Sequence, residues 1–182
     1  MKILFWTSLI IIVYVYIGYP CFLALFGCIR WKKLKKADIE PSVTLIISAF
    51  NEEKYIREKI VNSLSIDYPK EKFEIIVVSD ASTDNTDEIV RQFEKQGVRL
   101  IRQEERLGKT SGLNLAVSQA EGKIIVFTDA NAMYQKDAVR KLIRHFNDDK
   151  IGYVVGEARY TDINQTGSAK SESLYWQYEI FL

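Results

Sequence analysis

Two acidic residues stand where apolar runs end. Asp129 follows Ile124–Thr128 and has Asn131 two positions on, and Asp80 follows Phe73–Ser79 and opens the polar stretch "DASTDNT". A third polar stretch, "SAFNEE" (Ser48–Glu53), closes the run that begins at Val43. Runs this apolar read as strands buried on both faces of a parallel sheet, where ligands bind beyond the strands' carboxyl ends. An Asp after a strand is commonly a helix N-cap, which suits Asp84. Capping is a poorer explanation of Asp80 and Asp129 on the same rim. Carboxylate and amide oxygens, completed by water, are the donors that Mg²⁺ and Mn²⁺ prefer. Asp129 and Asn131, two apart on a turn, can both face one such ion, and the ion can hold a diphosphate. Asp80 can accept hydrogen bonds from a base or ribose. Lys109, at a helix start, can neutralise phosphate charge beside the helix's first amides.

Other chemistries fit less well. No G-x-G-x-x-G follows a strand. "GKT" (Gly108–Thr110) resembles part of a P-loop, but position 103, where that motif needs Gly, is Gln. No His/Cys group has zinc spacing. His145, the single histidine, lies next to Phe146 in a helical pattern and reads as structural. Ser and Cys nucleophiles lack partners, and a nucleotidyltransferase would want a Gly/Arg/Lys-rich loop where "SAFNEEKY" stands.

The elements that must position these residues alternate. Val43–Ser48, Phe73–Ser79, Val98–Arg102 and Ile124–Thr128 are expected as strands, with Tyr153–Val155 as a further one. Helical spacing of apolar residues falls in 52–64, 84–95, 110–120 and 136–146. The fold class is therefore α/β, a mostly parallel sheet flanked by helices. The chain has 182 residues, enough for one domain with a sizeable core.

Charge is uneven. Of 25 Lys and Arg and 24 Asp and Glu, six bases and no acid fall in residues 1–36, leaving 19 bases against 24 acids, which excludes a nucleic-acid binder. Ile3–Ile29 holds no Asp, Glu, Lys, Arg or His and exceeds the roughly 20 residues of a spanning helix. It is too long for a signal-peptide core and shows no A-x-A-like cleavage site. Gly18 and Pro20 are expected to kink it. Cys21 and Cys28, about 10 Å apart on a helix, are too distant for a disulfide. "RWKKLKK" (Arg30–Lys36) predicts a single-pass anchor in the cell (inner) membrane with the globular part cytoplasmic, and the cluster can also meet anionic lipid heads. The expected layout is an anchor and basic segment (1–36), a binding domain (37–165) and a further helical segment (166–182).

"PSVTLIISAFNEE", "EIIVVSDASTDNT", "ERLGKTSGLNLA" and "GKIIVFTDANAMY" occur in the order seen in family 2 glycosyltransferases. From Pro41 to Tyr160 the chain resembles that family, and the preceding helix with "YIGYP" is similar to its membrane-anchored bacterial branch. The resemblance implies a GT-A (Rossmann-like) fold and a nucleotide-sugar donor, often a UDP-sugar. It also implies Mn²⁺ or Mg²⁺, inversion at the anomeric carbon, and a glycan or lipid-linked acceptor in surface-polysaccharide synthesis. Carried over by position, Ala49, Phe50, Asn51 and Glu52 match the first nucleotide-contacting segment. Asp80 matches the Asp that holds the base, Gly108 and Lys109 the loop near the diphosphate, and Asp129 the first residue of the metal-binding D-x-D. Asn131 departs from that motif by one negative charge.

The family's general base is an Asp in a "TED"-like motif beyond the metal site, and processive members carry Q-x-x-R-W; neither motif occurs here. Glu157 and Asp162 are weak substitutes. Leu174, Tyr178 and Phe181 read as the start of an amphipathic helix. The expectation is a donor-binding half of a longer enzyme, incomplete for catalysis alone, with its general base past Leu182. The alternative is a non-catalytic, membrane-anchored nucleotide-sugar-binding or assembly module.

Overall fold

A computed structural model of the chain describes residues 2–29 and 35–157. The chain forms two compact units, one containing the N-terminal helix and the other spanning Lys35–Gly156.

The N-terminal helix comprises α1 (Lys2–Val13), a π-turn at Tyr14–Gly18 and α2 (Tyr19–Ile29). Pro20 offers no N–H and its ring would meet the carbonyl four residues back. The helix widens here instead of breaking, and the Tyr19 N–H donates to the Tyr14 carbonyl five residues earlier. Thr7 and Ser8 donate their hydroxyls to the carbonyls of Ile3 and Leu4, which satisfies these two donors within the helix. Lys2–Gly27 is long and apolar enough to cross a membrane; its 26 residues run about 39 Å against a hydrocarbon core of roughly 30 Å.

In Lys35–Gly156, four parallel strands take the order β3-β2-β1-β4: β1 Val43–Ala49, β2 Phe73–Ser79, β3 Val98–Arg102 and β4 Ile124–Asp129. The helices are α3 Ile56–Leu64, α4 Thr86–Arg91, α5 Lys109–Ser118 and α6 Ala138–Ile143. The chain steps outward from β1 to β2 and β3, then returns across the sheet to place β4 on the other side of β1. Crossovers are right-handed, so reversing direction sends the connecting helix to the opposite face. Accordingly, α3, α4 and α6 cover one face through Ile56, Ile60, Val90, Phe93, Val139 and Ile143, while α5 covers the other through Leu113 and Ala116 against Ile46, Ile76 and Val78. The central strand β1 is mostly apolar because both its faces are buried; Thr44, also buried, donates its hydroxyl to Glu74. Gly122 lets the turn before β4 lie against β1: a Cβ there would sit 2.3 Å from the Thr44 nitrogen.

The expected strands are present with one exception. Residues 151–157 have no regular structure, and Tyr153 and Val155 are largely exposed. No strand lies alongside this short run among the described residues, so it has no ladder to join. Three helices begin later than their apolar spacing suggests. For α3, the left-handed backbone of Asn51 (φ 54°) leads into a turn in which Tyr55 and Ile56 both donate to the Glu52 carbonyl. His145 sits in a 3₁₀ turn, Arg144–Asn147; burial first, then Lys36 and Arg144, lower its pKa, which suits a structural residue. The chain from Ala158 onward, with Asp162 and the expected helix around Tyr178, lies outside the described residues.

Candidate functional site: the carboxyl rim of the sheet

Register brings the polar stretches together. Ala49 pairs with Ser79, Ser79 with Arg102 and Ser48 with Asp129, so every strand ends on one rim. The order of strands reverses between β1 and β4, the position where open α/β sheets form a crevice.

The loops after β1 and β2 are zipped to each other. Ala49, buried at the strand end, accepts the Asp80 N–H through its carbonyl at 3.0 Å. The Asn51 N–H donates to Ser82 Oγ (3.1 Å), and its carboxamide oxygen accepts the Thr83 N–H (2.8 Å). The Glu52 N–H donates to Thr86 Oγ1 (2.8 Å), and the Glu53 N–H donates to the Asp84 carboxylate (3.1 Å). Asp84 also accepts the Thr86 N–H at the start of α4 (2.9 Å). Burial raises its carboxyl, but the Thr86 hydroxyl, the Thr86 amide and the Glu53 amide outweigh burial and bring its pKa below the usual value. Both Asn51 and Ala81 are held at φ 54°. For Ala81, which lacks a side chain to compensate, this backbone costs on the order of 1 kcal/mol. Phe50 is half-buried with the Arg106 guanidinium 3.9 Å over its ring.

Asp80 is 8% exposed and turns towards the loop before α5. One carboxylate oxygen accepts N–H groups from Leu107 (3.0 Å) and Gly108 (3.1 Å), and the second is also 3.1 Å from the Gly108 nitrogen. Gly108 has φ 88°, a conformation that glycine adopts without strain, and it starts α5 with no side-chain cap. The next residue, Lys109, extends its ammonium to Asp129 Oδ1 at 2.5 Å. Asp80, the 107–109 loop and Asp129 are thus one connected group. Asp129 and Lys109 are each more than half exposed, and Asn131 is exposed beside them.

The turn after β4 is fixed from below. Asn62 on α3 clasps the backbone of Tyr134, accepting its N–H at 2.8 Å and donating to its carbonyl at 2.9 Å. Lys59, one turn earlier and fully buried, reaches Thr128 Oγ1 (2.9 Å) and the Ala132 carbonyl. Burial pushes its pKa down to about 8, against the pull of the nearby Asp129 charge. Sequence reasoning missed Lys59, although a signal existed: it lies three residues after Ile56 and four before Ser63, on the buried stripe of α3. Arg106, Asn62 and the Ser82–Thr83 partners had no such signal, because their roles come from contacts between loops.

Among the described residues, no group of three or more His, Cys, Asp or Glu could enclose a metal ion. Asp129 and Asn131 offer one carboxylate and one amide oxygen on neighbouring exposed positions. That donor set fits a hard cation that keeps several waters and takes its remaining ligands from phosphate, and does not fit a protein-only cage.

A parallel sheet flanked by helices with acidic loops on its carboxyl rim is a GT-A arrangement, and similarity to known proteins gives the family. The model of Glycosyl transferase family 2 matches residues 44–181, and the chain belongs to that family. It is 34% identical over 143 residues to the probable glycosyltransferase YdaM of Bacillus subtilis (strain 168), covering 75% of this chain and 34% of YdaM. It is 32% identical over 137 residues to the poly-beta-1,6-N-acetyl-D-glucosamine synthase of Staphylococcus aureus (strain COL), covering 72% and 33%. The chain therefore spans about a third of the length of these curated relatives. Among solved structures, the mannosyltransferase PcManGT from Pyrobaculum calidifontis, in complex with GDP-Man and Mn²⁺, superimposes with a TM-score of 0.72 at 33% identity, over 84% of this chain and 47% of PcManGT. S. aureus TarS 1–349 in complex with UDP-GlcNAc gives a TM-score of 0.53 at 28% identity, over 69% and 38%.

Proposed function

We propose that the chain carries the donor site of an inverting glycosyltransferase. Its donor is a nucleotide-diphospho-sugar, taken as a UDP-sugar, held at the rim formed by 49–52, Asp80, 107–109 and Asp129–Asn131. The observation that carries this reading is the link Asp80–Gly108–Lys109–Asp129, which joins the candidate base end of the rim to its candidate phosphate end.

Each residue has a distinct part. Ala49, Phe50, Asn51 and Glu52 form the floor under the nucleoside. Asp80 keeps acceptor capacity on its second oxygen for the base or ribose. The unpaired first amides of α5 and the Lys109 ammonium face the diphosphate. Asp129 and Asn131 would hold Mn²⁺ or Mg²⁺, and the ion would supply charge stabilisation for the leaving diphosphate. Lys109 is paired with the Asp129 carboxylate, so a cation on Asp129 would have to compete with it. The acceptor is a glycan or lipid-linked sugar. Its hydroxyl attacks the anomeric carbon in line with the departing diphosphate and loses its proton to a general base. The apolar Lys2–Gly27 helix and the basic Arg30–Lys36 flank support an anchor in the inner membrane with the sheet on the cytoplasmic side.

Titration calorimetry of the full chain in nanodiscs, with UDP and with GDP, each with and without Mn²⁺, tests the reading. Heat with UDP that depends on Mn²⁺ is expected. No heat with either nucleotide would refute the donor site, and binding of GDP alone would refute the choice of UDP.

A further inference from the structure

A buried lysine is costly, and among the described residues no carboxylate is bonded to Lys59; the Asp129 charge nearby offsets only part of its burial. Its ammonium meets three groups instead: Thr128 Oγ1 at 2.9 Å, the Ala132 carbonyl, and the face of the Tyr134 ring, 4.3 Å from the centroid. All three lie on one short stretch, the last turn of β4 and the bend after it, and that stretch contains Asp129 and Asn131. Within it the Ala132 N–H donates to the Asp129 carbonyl at 3.2 Å, so holding the Ala132 carbonyl also fixes the bend's closing bond. An apolar residue of similar length would fill the same volume under α3. It would leave the Thr128 hydroxyl and the Ala132 carbonyl without this donor, so packing alone does not explain an ammonium at this position. Asn62, one turn along the same helix, grips only the far end of the bend at Tyr134.

We infer that Lys59 is a positioning residue: from inside the fold it sets the spacing of Asp129 and Asn131 and so prepares the pair for a divalent cation. This rests on the reading of those two residues as the cation's ligands. Outer partners of metal ligands typically contribute 10- to 100-fold in affinity.

The test uses the full chain in nanodiscs and compares wild type, Lys59→Met, Thr128→Val and Val90→Ala. Val90 is buried in α4, away from the bend, and serves as a control for general destabilisation. The first readout is hydrogen exchange at the Ala132 and Tyr134 amides, which needs no ligand. Lys59→Met is expected to speed exchange there by about tenfold or more, with Thr128→Val giving a smaller effect in the same place and Val90→Ala none beyond its global shift. The second readout is the Mn²⁺-dependent part of UDP affinity, expected to fall about tenfold in Lys59→Met while metal-free UDP affinity is unchanged. If Lys59→Met does not fold, Thr128→Val decides both readouts. Unchanged exchange at Ala132 and Tyr134, or losses equal to those of Val90→Ala, would overturn the positioning role alone. Absence of any Mn²⁺ effect in wild type would overturn the reading of the site and this role with it.

Discussion

Asp80 and Asp129 stand at the ends of the two strands that flank β1, on the same rim, and are the same residue type, yet the fold uses them in opposite ways. Asp80 is nearly buried, with both oxygens engaged by the amides of Leu107 and Gly108. Asp129 is more than half exposed and holds a single lysine. Two backbone amides on a buried carboxylate fix a loop, whereas one exposed ion pair is screened by water and contributes about 0–1 kcal/mol. The first carboxylate therefore shapes the site, and the second stays available to a ligand that can outcompete Lys109.

Substitution should separate the two roles. The largest expected effect on binding is in Asp129→Ala, which should remove the Mn²⁺-dependent part of UDP affinity, a loss of about 100-fold, while the thermal midpoint barely moves. Asp80→Asn is expected to do the reverse on stability. Hydrogen bonds to a charged group contribute about 1.5–3 kcal/mol, so chemical denaturation should show a loss of about 2 kcal/mol. If both variants lost the same stability, the contrast would be broken. Lys109→Met sharpens it: Mn²⁺ binding without nucleotide should tighten, because the competitor is gone, while UDP affinity falls about tenfold. Asn131→Asp restores a second negative charge and should tighten Mn²⁺ severalfold, readable by the same titration. The smallest effect is acid sensitivity. The Asp84 carboxyl titrates below its usual value in the folded chain, so its contribution is complete above the unfolded value near 3.8 and disappears as pH falls through the folded value. Asp84→Asn should flatten that portion of the stability curve below pH 4.

The same contrast explains what could be read from the residues alone. Strands β2 and β3 were legible to the residue, β2 as a nearly continuous apolar run and β3 as a short run of β-branched and aliphatic residues after the Gly97 turn. The rim was legible as a set of residue types, since parallel strands end together. The destination of each polar group was not. Asp84 does take the Thr86 N–H at the start of α4, as its type suggests, but it and Asn51 also form bonds between loops more than thirty positions apart, which nothing local announces. Helix starts slipped for a related reason: apolar spacing marks the buried stripe of α3, whereas the left-handed turn at Asn51 sets where the helix can begin. Tyr153–Val155 had a strand's composition but pairs with no strand among the described residues, and composition cannot supply a partner.

The central claim is that Asp129 serves a cation-held diphosphate while Asp80 builds the loop beside it. Calorimetric titration of UDP into wild type, Asp129→Ala and Asp80→Asn, each with Mn²⁺ and with a chelator, addresses it most directly. Asp129→Ala is expected to bind UDP equally weakly with and without Mn²⁺, at the wild type's metal-free affinity, and Asp80→Asn to retain the Mn²⁺ increment on a lowered baseline. An Asp129→Ala chain that kept the wild-type increment would contradict it.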